Sequence, residues 1–153
     1  MDELHSRPGH LIRRAHQIAV SIFMDECGAL DLTPVQYAAL VAIRDRPGQD
    51  ATRLSGLVAF DRSTLGNVLE RLEGKGLIRR VQSPEDRRLK ILHVTEAGLE
   101  IIARAAPGVQ RTQERILAPL APADRRQFIA LLAQLVELNN TASRVPVGTP
   151  ARR

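Results

Sequence analysis

Hydrophobic and polar positions alternate along this chain with mostly helical spacing. After a polar leader, Leu11, Ile12, Ala15, Ile18, Ala19, Ile22 and Phe23 recur at steps of three and four residues, with Arg13, Arg14, His16 and Gln17 mostly between them. That spacing predicts an amphipathic helix that fades near Gly28. Thr33-Pro34-Val35-Gln36 then opens a second helix: Thr caps, Pro is tolerated at the first helical position, and Gln completes a capping box. Asp45-Arg46-Pro47-Gly48 ends it as a turn. Asp50 can cap a short third helix carrying Leu54, Leu57 and Val58. Asp61 can cap a fourth, whose Leu65, Val68, Leu69 and Leu72 form one apolar stripe that ends at Gly74 and Gly76.

The period then changes. Residues 77–81 and 90–94 are short β-branched runs around a charged tip, Ser83-Pro84-Glu85-Asp86-Arg87-Arg88, and predict a hairpin. Thr95 caps a long helix with Glu96 in its first turn, and Pro107-Gly108 predicts a kink or short break within it. Pro122 opens a last helix bearing Phe128, Leu131, Leu132, Leu135 and Leu138. The stretch 143–153, rich in Pro, Gly and Arg, is expected to be disordered. The expected fold is mainly α with a small β-hairpin, and the 153 residues suffice for one domain with a real core.

Composition narrows the function classes. Aromatic residues make up only 3% of the chain, which weakens a single-strand binder built on base stacking. Lysines and arginines number 22 against 17 acids. Most of these cations are arginines, whose planar forks suit phosphates and guanine edges. The lone Cys27 excludes an intramolecular disulfide and suits a reducing cytoplasm. The N-terminus lacks the basic-then-apolar pattern of a secretory signal, and no apolar run approaches membrane-spanning length. The expectation is a soluble cytoplasmic protein. No Gly-x-Ser-x-Gly elbow, phosphate-binding Gly-rich loop, Rossmann fingerprint or obvious nucleophile–His pair points to an enzyme.

The segment 54–98 carries the chemistry. If Leu65, Val68, Leu69 and Leu72 face the core, Arg62, Ser63, Thr64, Gly66, Asn67 and Arg71 are left outside. Ser and Thr hydroxyls near a helix N-terminus can meet phosphates or base edges, and Asn can pair with adenine. Gly66 costs roughly 1 kcal/mol of helix propensity against Ala, which close approach of a DNA backbone or tight helix packing would explain. Arg87 and Arg88 at the hairpin tip suit the negative potential of a narrow minor groove. Asp86 is assigned to holding the tip's shape by pairing with an arginine. A solvated polar face is the plain alternative for either element alone. Side by side, a helix that fits a major groove and an arginine-tipped hairpin that reaches a minor groove favour DNA.

Asp86-Arg87-Arg88 followed by Leu92, Thr95 and Gly98 resembles the wing signature of the MarR family of winged-helix regulators. Asp61-Arg62-Ser63-Thr64 and the block from Leu69-Glu70-Arg71 to Gly76-Leu77-Ile78 resemble that family's recognition helix, and Leu32-Thr33-Pro34-Val35-Gln36-Tyr37 its second-helix entry. The resemblance spans about 11–138. It implies a winged helix-turn-helix at 33–95 flanked by helical dimerisation segments at 1–32 and 96–142, with two copies on a pseudo-palindromic DNA operator. The apolar load of Leu11, Ile116, Leu117, Leu120, Phe128, Leu131 and Leu135 also asks for self-association. Ala121 before Pro122 departs from the capping Ser or Thr frequent in relatives and puts that helix boundary in question.

The same resemblance implies a repressor released by a small aromatic or phenolic acid bound between the dimer helices and the winged unit. His10, Arg13, Arg14, His16, Gln36 and Tyr37 are the candidates for that effector, since arginine pairs with carboxylates and His bonds ring hydroxyls. The opening Arg7-Pro8-Gly9-His10-Leu11-Ile12-Arg13-Arg14 resembles a subgroup that represses aromatic-compound degradation, a nicotinate-type repressor being one reading. Two alternatives remain: a redox-sensing regulator using Cys27, and a non-specific architectural DNA binder. Against the first, Asp25 and Glu26 beside Cys27 raise its pKa. Metal sensing through His5, His10, His16, Asp25, Glu26 and His93 lacks chelating spacing, because His10 and His16 point to different helix faces. No metal or cofactor is expected.

Overall fold

A computed structural model describes residues 3–147. Helix α1 (Pro8–Cys27) is followed by α2 (Pro34–Asp45), α3 (Ala51–Val58) and α4 (Arg62–Gly74), the strands β1 (Ile78–Gln82) and β2 (Lys90–Val94), then α5 (Glu96–Leu117) and α6 (Pro122–Leu138). Short 3-10 turns stand at Glu3–Ser6, Gly28–Leu30 and Asn140–Ala142. Among the described residues no helix is long and apolar enough to cross a membrane.

Side-chain caps set most helix starts. Thr33 and Gln36 form a reciprocal capping box at α2. Asp50 accepts from the Arg53 N–H at 2.9 Å, Asp61 from the Thr64 N–H at 2.9 Å, and Thr95 from the Gly98 N–H at 3.1 Å. Each satisfies a backbone donor the helix itself cannot. At the end of α4, Gly76 adopts φ +70°, and the Leu77 N–H donates to the Leu72 carbonyl at 2.9 Å, a Schellman closure. Because Leu77 completes that turn, β1 runs over 78–82 instead of the expected 77–81. It pairs antiparallel with β2, Ile78 opposite Val94 and Gln82 opposite Lys90.

The core sits beneath the two central helices and the hairpin: Leu32, Leu40, Ile43, Leu54, Leu65, Leu69, Leu72, Ile78, Leu92 and Ile102 are all buried. On the outer edge of β2, the Leu92 N–H donates to the Gln49 carbonyl at 2.9 Å, so the loop before α3 braces the hairpin. Gly98 admits no side chain, since a Cβ there would overlap the Leu77 carbonyl oxygen.

Of the kink or short break expected at Pro107, the break is absent: α5 runs unbroken from Glu96 to Leu117. Pro107 faces outward while its neighbours Ala105 and Gly108 are buried. A Cβ at Gly108 would lie 2.8 Å from Cys27 Sγ and 2.9 Å from the Glu26 carbonyl oxygen. The close approach of α1 to α5 that this glycine permits holds both turns around the proline, offsetting the lost backbone bond.

Helix α6 starts at Pro122 even though Ala121 provides no side-chain cap. Arg125 anchors the junction instead, donating to the Leu120 and Ala118 carbonyls at 2.8 and 3.2 Å. None of its residues is buried. Of the stretch expected to be disordered, 143–147 is described, with Asn140 exchanging two hydrogen bonds with the Val147 backbone. The remainder, 148–153, lies outside the described residues.

Candidate nucleic-acid interface

Helices α3 and α4 are joined by a tight turn in which Ala59 takes a left-handed φ of 54°. The Ser55 hydroxyl donates to the Phe60 carbonyl at 2.7 Å and closes it. The stripe Leu65, Val68, Leu69 and Leu72 is buried, leaving Arg62, Ser63, Gly66, Asn67 and Arg71 exposed. A Cβ at Gly66 would meet nothing within 4 Å, so tight helix packing does not explain this glycine. Thr64 is exposed too, but its hydroxyl proton goes to Asp61 Oδ2 at 2.7 Å. The Thr64 N–H, and then its hydroxyl, hold the Asp61 carboxyl below its ordinary pKa. Thr64 therefore offers a groove only the lone pairs of its oxygen.

The hairpin tip is a hydrogen-bonded loop. Buried Ser83 accepts from the Glu85 and Asp86 N–H groups at 3.3 and 3.4 Å. The Asp86 carboxylate accepts from the Arg88 N–H at 2.9 Å and its Nε at 3.4 Å. Gln82 Nε2 donates to the Arg87 carbonyl at 2.8 Å. The tip is thus a fixed shape from which Arg87 and Arg88 project into solvent, the Arg88 side chain 93% exposed. Two contacts absent from the sequence reading orient this unit. Arg80 Nε stands 3.1 Å from Glu73 Oε2, tying β1 to α4. Lys75 Nζ lies 2.9 Å from Asp31 Oδ2 and 3.4 Å from Gln36 Oε1, tying the end of α4 to the start of α2. No periodicity or motif marks such long-range pairs in advance.

Between α1, α2 and α4 lies a cavity of about 430 Å³. His16, Val20 and Met24 form one wall, the first turn of α2 from Thr33 to Gln36 another, and Thr64, Asn67, Val68 and Arg71 the third. Among the described residues no carboxylate lines it. Of the six effector candidates, it brings together only His16 and Gln36. His10 and Arg14 line a separate depression with His5, Leu11 and Ile18. Arg13 is engaged by Gln17 at 3.1 Å and lies 3.4 Å from His10 Nδ1, and the Tyr37 ring packs tilted on Phe23. Arg71 was foreseen for the groove but not for this wall. Its position three residues after Val68, on the flank of the buried stripe, was the available signal.

Comparison with known proteins decides the family. The chain is 30% identical over 133 residues to the transcriptional regulator HosA of Escherichia coli O111:H-, covering 87% of this chain and 97% of HosA. The MarR family profile matches residues 32–90. The chain belongs to the MarR family. The matched stretch runs from the residue before the α2 cap through the hairpin tip, the whole reading unit described above. Among solved structures, the transcriptional repressor CouR bound to a 23-mer DNA duplex superposes with a TM-score of 0.82 at 31% identity, over 89% of this chain and 96% of that one. BpsR of Bordetella bronchiseptica, in a structure on regulation of its DNA binding by 6-hydroxynicotinic acid, gives a TM-score of 0.83 at 28% identity, over 90% and 98% of the two chains. This MarR-family chain is a winged-helix transcriptional regulator that binds DNA, and not an enzyme.

Within this MarR fold, the geometry at Cys27 opposes a sensing thiol. Its side chain is fully buried, with Sγ 4.0 Å from the Ala105 carbonyl. Burial, then the neighbouring Glu26 charge, push its pKa up, away from the thiolate that oxidation requires. Among the described residues no group of His, Cys, Asp or Glu could hold a metal ion.

Proposed function

We propose that the protein is a homodimeric, cytoplasmic repressor released from a pseudo-palindromic operator by a small aromatic acid. Arg62, Ser63, Thr64, Asn67 and Arg71 on α4 meet the major groove, while Arg87 and Arg88 enter the adjacent minor groove with Asp86 holding the tip. Leu11 of α1, Ile116, Leu117 and Leu120 at the end of α5, and Phe128, Leu131 and Leu135 of α6 pair the two copies.

The acid's site is the cavity between α1, α2 and α4, and its lining carries this reading. Val20, Met24, Val35 and Val68 supply apolar walls for a ring. His16, Arg71 and the positive end of the α2 dipole favour an anion, and among the described residues no acid lines the cavity. The Arg71 side chain has no hydrogen-bond or ion-pair partner among the described residues, so its fork is open to a carboxylate. Regulation of BpsR by 6-hydroxynicotinic acid supports the same ligand class.

Calorimetric titration with benzoate and 6-hydroxynicotinate, followed by gel-shift release of a duplex selected by this protein from a random library, tests the proposal. Binding with release is expected; neither acid binding nor releasing DNA would overturn it. On the DNA side, Arg88→Ala is expected to weaken all duplexes and lower the salt slope, and Asn67→Ala to relax choice at particular bases. Uniform effects of both on every sequence would favour a non-specific architectural binder.

A further inference from the structure

Three side chains on the cavity's third wall, Thr64, Asn67 and Arg71, are also on the exposed side of α4 that is proposed to meet the groove. They recur at steps of three and four residues, one ridge along the helix. The cavity is therefore not remote from the reading surface. It opens onto the flank of the reading helix, and the same guanidinium can turn either inward to a bound carboxylate or outward to phosphate or a base edge. An arginine fork makes a bidentate pair with one such partner at a time.

From this shared ridge we infer that acid and operator exclude one another directly, by competing for Arg71 and Asn67. The inference rests on the acid occupying the cavity as proposed above, and specifies how its binding is felt. With Arg71 folded onto the carboxylate, α4 loses a cation on its outward ridge. With Asn67 turned to the acid, its amide no longer presents donor and acceptor to adenine. The remaining scaffold need not move for either effect. Lys75, bonded to Gln36 and Asp31, keeps α4 seated against α2 throughout.

Mutual exclusion has a signature that a shift in dimer spacing lacks. In direct competition on the proposed dimer, DNA requires the cavities of both protomers to be empty, so its apparent Kd rises by a factor of (1 + [acid]/Kd)², about 120-fold at ten times the acid's Kd and about 10,000-fold at a hundred times, without limit. A conformational mechanism levels off once a ternary complex saturates, at a factor set by the coupling energy. The experiment measures the full-length protein's affinity for the library-selected duplex across a thousandfold range of benzoate and, separately, 6-hydroxynicotinate. The expected result is an unbounded rise, approaching the square of the acid concentration, for whichever acid binds. A plateau, showing a ternary complex, would overturn the inference while leaving the acid's site intact. Arg71→Ala is the second arm: it is expected to weaken both acid and duplex at least tenfold, whereas Arg87→Ala weakens the duplex alone. An Arg71→Ala protein that binds acid as the parent does would overturn the sharing. Silence of both acids in calorimetry would overturn the cavity reading and this inference with it.

Discussion

Gly66 and Gly98 are both glycines near the reading unit, yet the structure gives them opposite meanings. A side chain at Gly98 would overlap the Leu77 carbonyl oxygen and lie 2.5 Å from Val94 Cγ1. At Gly66 the surrounding space is open. The intrinsic preference of a helix interior for alanine over glycine is about 1 kcal/mol. Gly66→Ala is therefore expected to raise the melting temperature by roughly 2–4 °C for a chain of this size. If its openness serves approach of a DNA backbone, the same substitution lowers duplex affinity. Thermal melting and a gel shift on one preparation check both. A more stable protein with unchanged affinity would remove Gly66 from the interface. Gly98→Ala is expected to lower the melting temperature sharply, since a methyl forced against a carbonyl must displace α5 or the hairpin.

At the scale of elements, the junction of α1 and α5 is the most charged contact among the described residues. Arg111 Nε donates to Glu26 Oε2 at 2.6 Å, Arg115 Nη1 to Glu26 Oε1 at 2.8 Å, and Arg115 Nη2 to Asp25 at 3.2 Å. The Arg111 hydrogen bond, then that of Arg115, hold the Glu26 carboxyl below its ordinary pKa. A carboxyl depressed in the folded state contributes stability above its unfolded pKa and loses it as pH falls through the folded value. The contribution is thus complete at neutral pH and disappears below the ordinary glutamate range. Glu26→Gln is expected to lower stability at pH 7 and to flatten the decline between pH 7 and strongly acid conditions. Urea melts across that range check it, and parallel pH profiles for parent and variant would contradict the role. Much at this scale was legible beforehand. Thr33, Asp50, Asp61 and Thr95 act through the backbone a few residues away, and caps of that kind are written locally in the sequence. Pro107 leaves α5 unbroken because its effect depends on which way it faces and on how closely Gly108 approaches Cys27, which only the packed structure shows. The Lys75–Asp31 and Arg80–Glu73 pairs were invisible for the same reason, as was the double placement of Arg71.

For the molecule as a whole, the decisive surface is the one left uncovered. Phe128, Leu131, Leu135 and Val136 of α6 are 41%, 57%, 45% and 59% exposed, and Leu11, Ile12 and Ile18 of α1 about as much. A lone chain rarely leaves so many large apolar side chains in water. In the proposed dimer a second copy supplies the cover, and places two reading units on one duplex. Replacing Leu131 and Leu135 together by Glu sets charges into that face without touching the core, which contains no α6 residue. The double variant is expected to keep its helical circular dichroism, to sediment as a monomer, and to grip only one half-site. Affinity for the selected duplex then falls from the nanomolar range usual for specific dimers toward about 10⁻⁴–10⁻⁶ M, the range of non-specific binding. The winged unit's own groove contacts are intact in such a monomer, so a half-site duplex is bound as weakly by the variant as by one protomer of the parent. A double variant that still sediments as a dimer and still binds the full duplex tightly would show that α6 is covered by something other than a second copy.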